Sequence, residues 1–250
     1  GLFWLLHWHA ARRDPSLPPF QVESPRRVIF AAGAAGVLEL ALSIALGMPP
    51  GVERDLAVVS VIGRASPEWL AQARQAASQL KARWARADAL LALVSSVPAG
   101  ERLPLVDEAL AAVEGVDSDE GVAHRLVSLA AIVPDPSRTT VVARALDITP
   151  QIIEDKGRAS VLAQLVEVLP DELVPRALAL TEGIEHGWSR ADALSALAPR
   201  LSSELAGRAV TAALNISDEW PQSQALEALI PLKPVDVLEQ MTKAVLNITN

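Results

Sequence analysis

The chain contains no cysteine and no tyrosine among its 250 residues. Without thiols it can make no disulfide, no thiolate nucleophile and no Cys-ligated zinc site, and a small secreted scaffold loses its usual support. Aromatic residues are scarce, with six Trp and three Phe. Positive charge is short as well: 22 Lys and Arg stand against 30 Asp and Glu, a net charge of −8. Nucleic acid is bound by clustered cations that displace counterions from phosphates, so we expect no nucleic-acid partner. The sequence also lacks a G-x-x-x-x-G-K-[ST] phosphate loop, a G-x-S-x-G elbow and an H-E-x-x-H zinc helix.

Histidine is equally sparse. His7 and His9 stand two apart, which on a helix turns them to different sides, and His124 and His186 have no Cys or His at ligand spacing. DSDEG at 117–121 opens like a calcium loop, but the loop's final position, where a Glu is required, falls on Ser128. We read it as a polar turn. NIS at 215–217 and NIT at 247–249 are glycosylation sequons in one column of a repeat, and duplication explains both. No metal, cofactor or catalytic residue is expected, and the chain is read as non-enzymatic.

What is present is Ala and Leu, in a chain that is 50% hydrophobic. These are strong helix formers with little strand preference. WARADALLAL at 84–93 returns as WSRADALSAL at 188–197. Anchoring on the Arg of this phrase gives Arg54, Arg86, Val122, Arg158, Arg190 and Gln222, at spacings of 32 or 36. Four residues after each anchor stand Val58, Leu90, Leu126, Leu162, Leu194 and Leu226; seven after stand Val61, Leu93, Leu129, Leu165, Leu197 and Leu229. Those offsets share one helical face. Ala87, Ala123, Ala159 and Ala191 follow their anchors directly, where close helix approach needs a small residue.

A breaker comes next in each unit: Ser66, Pro98, Pro134, Pro170, Ser202 and Pro234. A second helical stripe then starts at Trp69, Leu105, Val141, Leu173, Leu205 and Val237 and ends at Leu80, Val116, Ile152, Ile184, Ile216 and Ile248. Between them stand Ala73, Ala109, Ala145, Ala177, Ala209 and Met241. The longer units carry their extra residues around Pro98–Leu105 and Pro134–Val141, in the turn between helices, where insertions are tolerated. The pattern predicts an all-α, right-handed α-solenoid of helix–turn–helix repeats with a period of 32–36 residues. Six hairpins span 54–85, 86–121, 122–157, 158–189, 190–221 and 222–250. Residues 22–53 form a degenerate first repeat or cap, in which Val37, Ala41, Ala45 and Met48 keep the second-helix columns, and 1–21 form an apolar or linker segment.

The period, the paired helices, the Trp ahead of the first helix and the small residues of the second resemble tetratricopeptide-like repeats, with a HEAT-like cousin beside them. The resemblance covers residues 54–250; the Gly and Tyr of the family's first helix are not matched. It implies a protein- or peptide-binding solenoid, of the kind found in large bacterial signalling proteins beside an ATPase or protease module.

Residues 28–48 carry one charge, Glu39, behind Arg26 and Arg27, so membrane contact through 1–48 is a rival to the buried-cap reading. The run is rich in Ala and Gly, and the repeat columns pass through it; we expect a cap and a cytoplasmic protein. The chain opens on Gly1 and its final segment keeps the internal columns, from which we expect a larger chain or assembly. Trp84, Trp188 and Trp220 share a column two before the anchor. They either form ligand platforms along one edge or close the turns by packing on the previous helix. Arg54, Arg86, Arg158 and Arg190 either form ion-pair ladders with Asp88 and Asp192 or present a stripe to an acidic peptide. The leading function is a scaffold or sensor binding a protein or peptide; alternatives are a regulatory arm of a larger signalling ATPase or protease, or a membrane-tethered adaptor.

Overall fold

In the computed structural model of the chain, the described residues are 38–64, 69–98 and 102–232. Expectations that fall on 1–37, Ser66, Pro234, Val237, Met241, Ile248, His7, His9 or the second sequon lie outside them. The described part is all-α, with no strand. Its helices are α1 (Leu38–Leu46), α2 (Val52–Ile62), α3 (Leu70–Ser78), α4 (Arg83–Ser96), α5 (Leu103–Glu114) and α6 (Asp119–Ile132), followed by α7 (Ser137–Ile148), α8 (Asp155–Leu165), α9 (Val174–Glu182), α10 (Gly187–Leu197), α11 (Ser203–Leu214) and α12 (Glu219–Leu229).

Helix starts follow local chemistry. The Ser118 hydroxyl oxygen accepts the Gly121 N–H at 3.2 Å, capping α6, and Asp119 and Glu120 fill its first turn, where the helix dipole favours anions. This is where DSDEG lies: it starts a helix. Pro104 and Pro175 sit in the first turns of α5 and α9, where no backbone donor is needed. The first helices α8, α10 and α12 finish in a 3₁₀ turn, at Val166–Val168, Ala198–Arg200 and Ile230–Leu232, whereas α4 and α6 stay α-helical to Ser96 and Ile132. From the hairpin of α6 and α7 onward, the connection to the second helix occupies 133–136, 169–170 and 201–202 in successive hairpins.

The predicted first-helix stripe is core, whereas in the second stripe Trp69, Val116, Leu173 and Leu205 are only half-buried. Every described residue of the columns four and seven after the anchors is buried, from Val58 and Val61 to Leu226 and Leu229. Ala87, Ala123, Ala159 and Ala191 are buried beside them, as are Ala73, Ala109, Ala145, Ala177 and Ala209 in the second helices. Ala41 and Ala45 of α1 are also buried. No described helix is long and apolar enough to cross a membrane. Two of the buried polar residues are satisfied within their own helices. Thr149 and Thr181 donate back to the carbonyls of Ala145 and Ala177, at 2.8 and 3.0 Å.

Packing divides the chain into two compact units, Gly1–Val116 and Asp117–Asn250. In the first, α2 packs on α1, α3 and α4, and α4 on α3 and α5. In the second, α6, α8, α10 and α12 pack in sequence as one row, and α7, α9 and α11 as another. Each hairpin reverses the chain, so the helices of the first row run in the same direction and their first turns follow one another along an edge. The division between units falls in the turn whose anchor column holds Val122.

At the start of α8 the space beside Gly157 is filled. A Cβ at Gly157 would lie 2.9 Å from Ile152 Cγ2 and 3.0 Å from Glu120 Oε1. Ile152 is buried and β-branched, so it has little room to move. Replacing a helical Gly by Ala normally stabilises by about 0.8–1 kcal/mol. Gly157→Ala is expected to reverse that sign and destabilise by about 1–3 kcal/mol, read from urea denaturation; a stabilised variant would mean that Ile152 can give way.

Candidate functional site

The anchor residue stands in the first turn of each first helix, close to the turn entering it. Three anchors use that position alike. Arg86 Nη2 donates to the Leu80 carbonyl at 2.9 Å, and Arg158 Nε and Arg190 Nε donate to those of Ile152 and Ile184, each at 2.6 Å. At the fourth, Gln222 Nε2 donates to both Leu214 and Ile216 carbonyls at 2.9 Å. Each of the four reaches a carbonyl six positions earlier, just past the end of the preceding second helix or its 3₁₀ extension, and Gln222 also reaches that of Leu214, the last residue of α11. Carbonyls there have no partner within the helix, and a cation near a helix C-terminus is also favoured by the dipole. Arg54 differs, bonding the buried carboxylate of its neighbour Asp55 at 3.0 Å. The arginine column therefore ties the chain to itself. Asp192, one of the carboxylates considered for a ladder, receives Gln224 Nε2 of the next repeat at 3.0 Å.

Ion pairs between repeats do occur, in the second helices. Arg74 meets Glu108 at 2.7 Å, Arg176 bonds Asp147, and Arg208 grips Glu182 through two bonds at 3.1 and 2.8 Å. The hydrogen bonds that Arg208 donates to Glu182, and then the carboxylate's charge, hold the Arg208 pKa above its ordinary value. These pairs escaped the sequence reading, although opposite charges do recur one repeat apart on those helices. Such exposed pairs orient neighbours more than they stabilise them.

The tryptophans are placed differently. Each is the second residue of its first helix, clear of the buried stripe. Trp84 is partly buried, Trp188 is 47% exposed and Trp220 is 80% exposed. Trp188 and Trp220 belong to the second unit, on adjacent helices of its first row. Ile153, in the turn before α8, is 92% exposed on the same edge; it lay outside the repeat columns and was not foreseen. Beside it an open groove of about 530 Å³ is lined by Ile153, Glu154, Asp155, Lys156, Arg158, Glu185, His186 and Ser189.

That groove holds a Ser, a His and an Asp, and their geometry distinguishes a capped turn from a hydrolytic site. The His186 ring nitrogen Nδ1 lies 2.9 Å from Ser189 Oγ and accepts the Ser189 N–H at 3.3 Å, as a helix cap. Ser189 is 4% exposed. Asp155 accepts the backbone N–H groups of Glu185 and His186 at 2.9 and 2.7 Å, and its other oxygen receives Arg158, so it orients a turn and leaves the imidazole alone. His124 is similarly local, within 3.2 Å of Gln164 and 3.7 Å of Glu120. Among the described residues no group of three or more acidic or His side chains is arranged to hold a metal ion. What the edge offers is shape, charge and two accessible indoles. The chain matches no protein-family model, no curated protein and no solved structure.

Proposed function

We propose that the chain is a non-enzymatic scaffold or sensor that binds a protein or peptide, a divergent relative of tetratricopeptide-like or HEAT-like solenoids acting in the cytoplasm. One observation carries this reading. On the edge of the second unit, three anchor side chains of the repeat are held by the chain's own backbone, while Trp188 and Trp220 beside them stand in solvent. Leaving large indoles in water forgoes the stabilisation their burial would bring, and aromatic anchors of this kind dominate the energetics of protein interfaces. Stacked hairpins lend such anchors a rigid, regularly spaced support.

The test is direct. The purified chain, immobilised and exposed to lysate of its source cell, should retain a defined protein. That protein, purified separately, should then form a stoichiometric complex with the chain in sedimentation equilibrium. Absence of any reconstituted complex, together with turnover of a small molecule by the chain, would replace scaffold with enzyme.

A further inference from the structure

Along the first-turn edge of the second unit, apolar and acidic exposure coincide. Trp188, Trp220 and Ile153 supply the apolar surface. Around them Glu154, Glu185, Asp218 and Glu219 are exposed, with Lys156 as the cation among them. We infer that this edge binds an extended peptide segment bearing Lys or Arg at regular intervals, the cations stacking on the indole faces and pairing with the flanking carboxylates. The inference rests on the scaffold reading and gives its partner a chemistry.

Charge and geometry both support it. An indole face attracts a guanidinium or ammonium within about 6 Å, and a nearby carboxylate adds to that attraction. The anchor column had suggested an acidic partner, but Arg158 and Arg190 are turned to carbonyls of their own chain, and the exposed charge on this edge has the opposite sign. Spacing narrows the partner further. Packed helices lie about 8–10 Å apart, so the first turns of α10 and α12 present their indoles at roughly that interval. An extended segment in the polyproline-II conformation advances about 3.1 Å per residue and repeats its side-chain direction every third residue, so successive cations on one face should stand about three residues apart.

The test uses three synthetic peptides: a repeated Arg-Ser-Ser, a repeated Glu-Ser-Ser, and a peptide of the first one's composition with its arginines in a block. Isothermal titration at low salt should show the regular Arg peptide binding best and the Glu peptide not at all. The pair Trp188→Ala and Trp220→Ala should weaken the Arg peptide about tenfold or more, with circular dichroism unchanged because both side chains are exposed. Asp218→Asn with Glu219→Gln should weaken it too and flatten its salt dependence. Equal binding of the Glu peptide, or indifference to the Trp pair, would overturn the inference. A protein partner held equally by wild type and the Trp pair would also overturn it while leaving the scaffold reading intact; failure to reconstitute any partner would count against the scaffold itself.

Discussion

Leu194→Ala is expected to destabilise the second unit by about 2–5 kcal/mol, the loss seen when a large core side chain is removed and its cavity cannot collapse. Leu194 is fully buried in α10, which packs against α8 and α12 in its own row and against α9 and α11 in the other. Packing holds α10 against four helices, so little backbone can move in to fill a cavity there. Leu162, in the same column of α8, is also buried and should behave alike. Urea denaturation followed by circular dichroism measures the effect, with Trp220→Ala as an exposed control. A loss near zero at both leucines would put the column outside the core. A fall in the m-value instead of the midpoint would mean the hairpins on either side unfold separately, because each repeat depends mainly on its neighbours.

The second large effect belongs to the anchor column. Arg190→Ala removes the donor from the Ile184 carbonyl and should cost about 1.5–3 kcal/mol, the range for a hydrogen bond to a charged group. The repeat itself supplies the conservative replacement. Gln222 reaches the equivalent carbonyl of Ile216 with a neutral amide. Arg190→Gln should therefore keep more than half of the stability that Arg190→Ala loses. If Gln and Ala prove equally damaging, the arginine acts through its charge and packing, and the carbonyl bond is incidental. Arg158, with the same bond to Ile152 and a second to Asp155, provides a replicate in the neighbouring repeat.

These two predictions mark what a sequence can and cannot reveal here. Leu194 could be placed in the core without coordinates, because burial in a helix imposes a period near 3.6 residues and the chain repeats it in every hairpin. The role of Arg190 could not. Its recurrence was visible, yet recurrence does not distinguish a side chain turned toward solvent from one turned back to a carbonyl six residues earlier. The same holds for tryptophan: Trp84, Trp188 and Trp220 share a column, but their exposure rises from partly buried to 80%. Ile153 had no column at all.

By itself, the sequence determined that the chain builds paired helices, which residues line their shared interior, and that the chemistry of cysteine is closed to it. Those properties follow from residue type and from the short-range periodicity of the helix. The tertiary structure decided which polar groups the fold consumes, which aromatic side chains stay in water, and that the packing divides between Val116 and Asp117. Each of those depends on how a turn bends the chain and what it brings alongside, and no helical period encodes that.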